Sequence, residues 1–399
     1  MFEEIETRGV DNLLMLMAAF RADERTEKVD LVVGVYKDEE GNVPVMAAVK
    51  EAEAELLKGE DTKNYVGIAG DADYRAFVPP LVFGEDSPIV TTGRVSCVQT
   101  PGGTGALKVG NDLLNSLKPG NTIWMSTPTW ANHIPVSQDA GLTVAQYPYF
   151  RESDRGLDFD AMMSHLDAHA KPGDVILLHA CCHNPTGVDL SLDQWAKVAS
   201  FLRERQLLPF MDAAYQGMGV GFERDLEGLR LVAAQVSEML VATSFSKNFG
   251  IYRERTGALS FVCKTPEHVE TTMAAVQAVI RSNYSMPPSH GARIVATVFG
   301  DEGMKATWRA ELEVMRERIA EMRTALRTKL EKHQVTQDFS FITDQKGMFS
   351  YTGLNPDQVS RLRDEFGIYI AGDGRINVAG LTTRNLDVVA EGFATVMKQ

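Results

Sequence analysis

Leu240-Val241-Ala242-Thr243-Ser244-Phe245-Ser246-Lys247-Asn248-Phe249-Gly250 is the stretch from which the rest of the chain is read. It opens as a short apolar run, expected to be a strand over Leu240–Ser244 buried on both faces, and it ends on hydroxyls and a lysine. Comparable runs recur at Val95–Thr100, Thr122–Ser126, Leu142–Tyr147, Val175–His179, Leu208–Asp212 and Ala258–Cys263. Amphipathic segments of helical length, such as Leu192–Arg205, lie between them. Buried strands alternating with helices from about Pro44 to Glu311 predict an α/β fold: a large domain with a mostly parallel sheet between helices.

The C-terminal part has a different rhythm. Within Met304–His333, Trp308, Leu312, Met315, Ile319, Met322, Leu326 and Leu330 share one stripe of helical period, and the opposite face is dense in Glu and Arg. That pattern predicts a long surface helix. Short strand-like pieces follow at Phe339–Ile342, Met348–Tyr351 and Arg375–Val378, with a helix near Pro356–Phe366, and together they predict a smaller α+β domain. The expected division is an N-terminal arm contributing to the small domain at 1–45, a large ligand-binding domain at 46–311, and a C-terminal small domain at 312–399.

Composition narrows the chemistry. The chain has 399 residues, 44% hydrophobic and 24% charged, enough to bury a large core without disulfides or metals. Acidic residues outnumber basic ones 54 to 40, and the formal charge of −14 repels phosphate backbones and anionic lipid. Nucleic-acid and membrane binding are not expected, so an anionic ligand has to be held by a local cluster of cations and amides. Cys97, Cys181, Cys182 and Cys263 sit in or beside apolar runs with no C-x-x-C pair, which fits free thiols in a reducing cytoplasm. The opening Met1-Phe2-Glu3-Glu4 is acidic where a secretory signal is basic, and the apolar run Leu13–Phe20 is too short to span a bilayer. No metal is expected. H-E-x-x-H is absent, His165 and His169 have no evident third ligand, and His179 and His183, in a strand and the loop after it, are not expected to meet.

In an open α/β sheet, ligands collect at the carboxyl ends of the strands. Pro101-Gly102-Gly103-Thr104-Gly105-Ala106 follows one such end and leads into a helix over Leu107–Leu114. Glycines there let backbone amides approach an anion at the positive end of a helix, although a tight turn without a ligand is an equal reading of this segment alone. Lys108 stands where a dinucleotide fingerprint needs its third glycine, and no Walker A ending follows. His183-Asn184-Pro185-Thr186-Gly187 places an amide side chain at a turn. Asp212 ends a buried run with Tyr215 three residues on, where a carboxylate either meets a cation or caps a helix. Lys247 follows two hydroxyls and precedes Arg253 and Arg255, and its apolar surroundings favour a neutral amine able to attack a carbonyl. Ser244, Ser246 and the arginine would hold a dianionic phosphate beside it. A phosphate cup, an acid, a phenol, an amide and an amine are what pyridoxal phosphate requires: a lysine to bond its aldehyde and a carboxylate to keep its pyridine nitrogen protonated.

In these motifs the chain resembles the fold-type I, class I aminotransferases, in their aspartate and aromatic amino acid branch. The likeness runs from Phe20-Arg21-Ala22-Asp23 and Gly34-Val35-Tyr36-Lys37 to Gly374-Arg375-Ile376-Asn377-Val378-Ala379-Gly380. Its most specific matches are Cys181-Cys182-His183-Asn184-Pro185-Thr186-Gly187, Ala214-Tyr215-Gln216-Gly217 and Ser246-Lys247-Asn248-Phe249-Gly250. The resemblance implies that Lys247 bonds pyridoxal 5'-phosphate and later moves the proton between Cα and C4′. Asp212 would pair with the pyridine nitrogen, with His133 behind it. Tyr215 and Asn184 would hydrogen-bond the ring's phenolate oxygen, and Trp130 would stack on the ring and face the substrate. The phosphate would sit among Gly103, Thr104, Ser244, Ser246 and Arg255, with Tyr65 reaching in from a second subunit. Arg375 would clamp the substrate α-carboxylate, assisted by Asn184 and the backbone of Gly34, and Arg281 of the neighbouring subunit would bind a side-chain carboxylate.

The implied activity is ping-pong transamination in a homodimer, from an amino acid to a 2-oxo acid such as 2-oxoglutarate. Arg281 and the polar Lys37, Asn64 and Thr104 favour aspartate, whereas the apolar Val43 and Met286 favour aromatic substrates, so a mixed specificity is expected. Two rival activities draw on the same residues. A decarboxylase of aspartate on the same fold would use the same cofactor. Ser244-Phe245-Ser246-Lys247 also satisfies the S-x-x-K pattern of a serine hydrolase, but neither S-D-N, K-T-G nor G-x-S-x-G occurs.

Overall fold

The apolar runs pair into a 7-stranded sheet. Its strands are β1 (Val95–Pro101), β2 (Thr122–Thr127), β3 (Thr143–Pro148), β4 (Val175–His179), β5 (Leu208–Ala213), β6 (Met239–Ser244) and β7 (Thr256–Val262). They lie in the order β1-β7-β6-β5-β4-β2-β3. β7 is antiparallel to both its neighbours, and the other pairs are parallel. The structure, a computed structural model, describes residue 2, residues 12–333 and residues 337–398, with 12 and 13 given as backbone only. The acidic opening, Phe2 apart, lies outside those residues. No helix among the described residues is long and apolar enough to cross a membrane.

Successive residues of each strand serve opposite faces, the two-residue period of extended chain. On one face Ile176, Leu178, Met211, Met239 and Val241 join the helix residues Trp195, Val198 and Leu202 in a first core. On the other, Val175, Leu177, Phe210, Leu240 and Ala242 join Leu107, Leu113, Val276 and Ile280. Every residue of β6 and β7 is buried, which is why these runs lack the polar alternation of a half-exposed strand. All seven expected strands are present, with ends shifted by two residues or fewer. The helix after β1 starts earlier than expected, at Gly102, and runs to Leu117. Gly102 turns the chain at φ +71, and a Cβ on Gly257 of β7 would lie 2.4 Å from the Gly102 carbonyl carbon, so glycine at 257 lets the helix end approach the sheet.

The long helix spans Glu302–Lys332, and the Asp301 carboxylate caps it by accepting the Met304 N–H at 2.9 Å. Trp308, Leu312, Met315 and Ile319 of its stripe pack into the core of the sheet, while Met322, Leu326 and Leu330 pack into a separate core with Leu31, Leu362, Ile376 and Phe393. Around that separate core, Phe349–Tyr351 pairs antiparallel with Arg375–Asn377, and Val29–Asp30 pairs parallel with Ile368–Tyr369. The N-terminal stretch thus supplies a strand to the C-terminal unit. One expectation fails here: Phe339–Ile342 is not a strand, because Ser340–Asp344 is helical. Asp338 starts the turn by accepting the Ser340 N–H at 2.8 Å, and Phe339, Phe341 and Ile342 are all buried together, which alternation along a strand would not allow.

Candidate active site

A cavity of about 260 Å³ opens at the carboxyl ends of β4, β5 and β6. Its wall contains Gly34, Gly103, Thr104, Trp130, Asn184, Asp212, Tyr215, Ser244, Ser246, Lys247, Arg255 and Arg375. Residues scattered over most of the chain meet there because parallel strands deliver their ends to one edge of the sheet.

Asp212, near the end of β5, is held from behind by His133, whose Nε2 lies 2.9 Å from Oδ2. Thr129 Oγ1 joins His133 Nδ1 at 2.8 Å to His179 Nε2 at 3.2 Å. Burial pushes the Asp212 carboxyl up, but the hydrogen bond from His133, with the Lys247 ammonium adding to it, outweighs burial and holds the group below its usual range. Burial, with His133 nearby, pushes His179 down to about 3, so its ring is neutral at pH 7.

Lys247 follows β6, with Nζ 4.7 Å from the centre of the Tyr215 ring. Burial lowers its amine to about 8; the Asp212 charge works against that fall and Arg255 adds to it. Burial raises the Tyr215 hydroxyl, which therefore stays protonated. Asn184 Nδ2 donates to the Tyr215 hydroxyl at 3.4 Å, and Arg375 Nη1 donates to Asn184 Oδ1 at 3.4 Å. A second Arg375 nitrogen donates to the Val32 carbonyl at 3.1 Å.

The other end of the cavity is built for an anion. Arg255 Nη1 lies 3.5 Å from Ser246 Oγ, and no carboxylate pairs with Arg255 among the described residues. A Cβ on Gly102 would lie 2.5 Å from Arg255 Nη2, and one on Gly103 would lie 3.1 Å from Ser244 Cβ. Backbone amides at the start of a 16-residue helix therefore face the same space as two hydroxyls and a guanidinium. An anion cup, an ionised carboxylate and a lysine with a lowered pKa fit the phosphate, the pyridine nitrogen and the aldehyde of pyridoxal phosphate.

Of the residues expected to hold cofactor or substrate, three do not line the cavity, and neither do Lys37, Val43, Asn64 and Met286, on which the expected specificity rests. His133 stands behind Asp212, Tyr65 is 86% exposed, and Arg281 is exposed near the end of the helix Glu267–Asn283, bonded to Ser285. Sequence reasoning misses Thr129, His179, Tyr252 and Phe349 as site residues. His179, Tyr252 and Phe349 line the wall, and Thr129 links two histidines. Tyr252 lies five residues beyond Lys247, a proximity visible in the sequence.

The expectation that His179 and His183 stay apart is also corrected: their rings stack at 4.1 Å, and His183 stacks at the same distance on Tyr149. The chain doubles back at Cys182, at φ +51, where the Asp189 carboxylate accepts the Cys182 and His183 N–H groups at 2.8 Å each. Cys181, Cys182 and Asp225 form a buried group of potential metal ligands. The Asp225 carboxylate already accepts three backbone N–H groups, from Gly217, Gly219 and Val220. A hydrogen bond from Cys181 lowers the Cys182 thiol, but burial and the nearby carboxylates carry it up to about 11.

Residues 26–393 match the model of the family described as "Aminotransferase class I and II". The chain belongs to this family. It is 46% identical over 397 residues to the aspartate aminotransferase of Escherichia coli (strain K12), covering 100% of both chains. It is also 46% identical over 386 residues to the aromatic-amino-acid aminotransferase of Pseudomonas aeruginosa, covering 97% of this chain and 96% of that one. Among solved structures, the aromatic-amino-acid aminotransferase of Burkholderia pseudomallei, covalently bound to pyridoxal phosphate, superposes with a TM-score of 0.97 at 46% identity, covering 100% of this chain and 99% of that chain. In this aminotransferase the cavity sits at the same sheet edge that the sequence motifs single out.

Proposed function

We propose that this aminotransferase transfers the amino group of L-aspartate and of aromatic L-amino acids to 2-oxoglutarate, using pyridoxal phosphate held in the cavity. The observation that carries the reading is Lys247, with its lowered pKa, in one cavity with the ionised Asp212 and with Arg375. Bound there, pyridoxal phosphate supplies an aldehyde for amine exchange and a protonated ring that takes up the electron pair left when Cα loses its proton. Asp212 keeps the ring nitrogen protonated, and His133 keeps Asp212 ionised and in place. Lys247 first holds the cofactor and then, as a free amine, carries the proton on Nζ between the two carbons. Tyr215 and Asn184 donate hydrogen bonds to the ring oxygen. Arg255, Ser244, Ser246 and the amides at Gly103 and Thr104 hold the phosphate. Arg375 clamps the α-carboxylate in a planar fork that a lysine cannot reproduce.

Tyr65 and Arg281 complete the site of a partner in a homodimer; their exposure in the single chain supports that reading. Relatives of both the aspartate and the aromatic type support the mixed specificity. The four free, buried cysteines fit a cytoplasmic protein. The test is steady-state kinetics with aspartate and 2-oxoglutarate. Parallel double-reciprocal lines and equal yields of oxaloacetate and glutamate are expected. Carbon dioxide release that does not depend on an added oxo acid would instead make the enzyme a decarboxylase.

A further inference from the structure

We infer that Phe349, clamped through its backbone by the buried Arg323, positions the Arg375 guanidinium for the substrate α-carboxylate. The inference rests on the role proposed above for Arg375. The register of the antiparallel pair sets Phe349 opposite Asn377 and Tyr351 opposite Arg375. Phe349 is therefore the diagonal neighbour of Arg375, at a separation that long side chains bridge. The guanidinium carbon lies 4.5 Å from the centre of the Phe349 ring.

Little else fixes the plane of that guanidinium. It makes two side-chain hydrogen bonds, a long one of 3.4 Å to Asn184 and an ordinary one of 3.1 Å to the Val32 carbonyl, and Nε is buried without a partner. No carboxylate pairs with it among the described residues. The ring, in contrast, is held on two sides. Tyr215 meets it edge to face at 5.9 Å, and a Cβ on Gly34 would lie 2.6 Å from Phe349 Cζ.

Arg323 accounts for the other half of the device. It is 4% exposed on the long helix, yet it donates only to backbone carbonyls: Ile342 at 2.7 Å, Gly347 at 2.8 Å, Lys346 at 3.2 Å, and Phe349 itself. A buried guanidinium without a carboxylate is costly, and here its donors are spent on one short segment that ends at Phe349. Fixing the long helix to that segment sets the height of the ring under Arg375. Phe349 and Arg323 are thus positioning residues acting through Arg375.

The test uses the cofactor-loaded enzyme. Phe349→Leu is expected to lower kcat/KM for aspartate and for 2-oxoglutarate about tenfold, mainly through KM, the scale of a cation–π contact at a half-buried site. Phe349→Tyr keeps the ring face and should recover most of that loss. Arg323→Lys, with fewer donors, should fall between wild type and Phe349→Leu. A primary amine without an α-carboxylate gives Arg375 nothing to hold, so its reaction should suffer far less from Phe349→Leu. Equal losses for the amine and for aspartate, or an unchanged KM for aspartate, would overturn the inference. If Phe349→Leu does not fold, Phe349→Met is read against the same two substrates. A wild type without transamination would sink the proposed function itself, a result distinct from either of these.

Discussion

Replacing Lys247 with methionine is expected to make the cofactor-free protein more stable at neutral pH. Burial lowers the Lys247 amine from 10.5 to about 8, so the folded state disfavours the charged form. The cost is felt in full below the folded value and fades as pH rises from about 8 to 10.5. At about 1.4 kcal/mol per tenfold step, it comes to ~3 kcal/mol at pH 7 and less than ~1 kcal/mol at pH 10. The face of Tyr215 returns about 1 kcal/mol to the ammonium, leaving a net gain of ~2 kcal/mol for Lys247→Met at pH 7. In a chain of this length that corresponds to a rise of roughly 2–3 °C in Tm. Urea unfolding of cofactor-free wild type and variant at pH 7 and pH 10 measures the gain at each pH. No gain at pH 7 would refute the reasoning, and so would a gain of the same size at pH 10, which would come from methionine packing. The stability given up at Lys247 is what leaves a reactive amine available near neutral pH.

Three further outcomes follow from the same geometry. Asp212→Asn removes the charge that holds up the Lys247 amine and pairs with the ring nitrogen; single-turnover rates should fall by about 10²–10³, with the Lys247 pKa dropping further in the cofactor-free protein. Arg375→Lys keeps the charge and loses the fork, and kcat/KM should drop by about 10- to 100-fold for amino acid and oxo acid alike. Gly102→Ala forces a side chain onto a residue at φ +71 with its Cβ 2.5 Å from Arg255 Nη2, and cofactor titration should show at least roughly tenfold weaker binding.

The sheet is legible in the sequence because its strands are buried on both faces: runs such as Leu240–Ser244 carry a signal that needs no partner. The cavity is legible because chemistry-bearing residues end those runs or follow them closely, as Asp212 does in the first way and Asn184 and Lys247 in the second. What escapes depends on pairing across the chain. Phe349 matters through its register with Arg375, and nothing around Phe349 in the sequence announces it. The His179–His183 stack depends on a positive φ at Cys182 and on a carboxylate farther along, at Asp189. Phe339–Ile342 reads as a strand because its apolar residues nearly alternate, yet Asp338 starts a helical turn there. Tyr65 and Arg281 stand outside the cavity of the single chain, and only the family resemblance assigns them roles.

The most direct test of the central claim is a half-reaction, followed by visible absorption of the protein loaded with pyridoxal phosphate. Aspartate is added with no oxo acid present. The account predicts loss of the band of the lysine-bound cofactor, one oxaloacetate released per site, and return of the band on adding 2-oxoglutarate. A protein that never develops the band, or one that turns over aspartate repeatedly with no oxo acid, would contradict it.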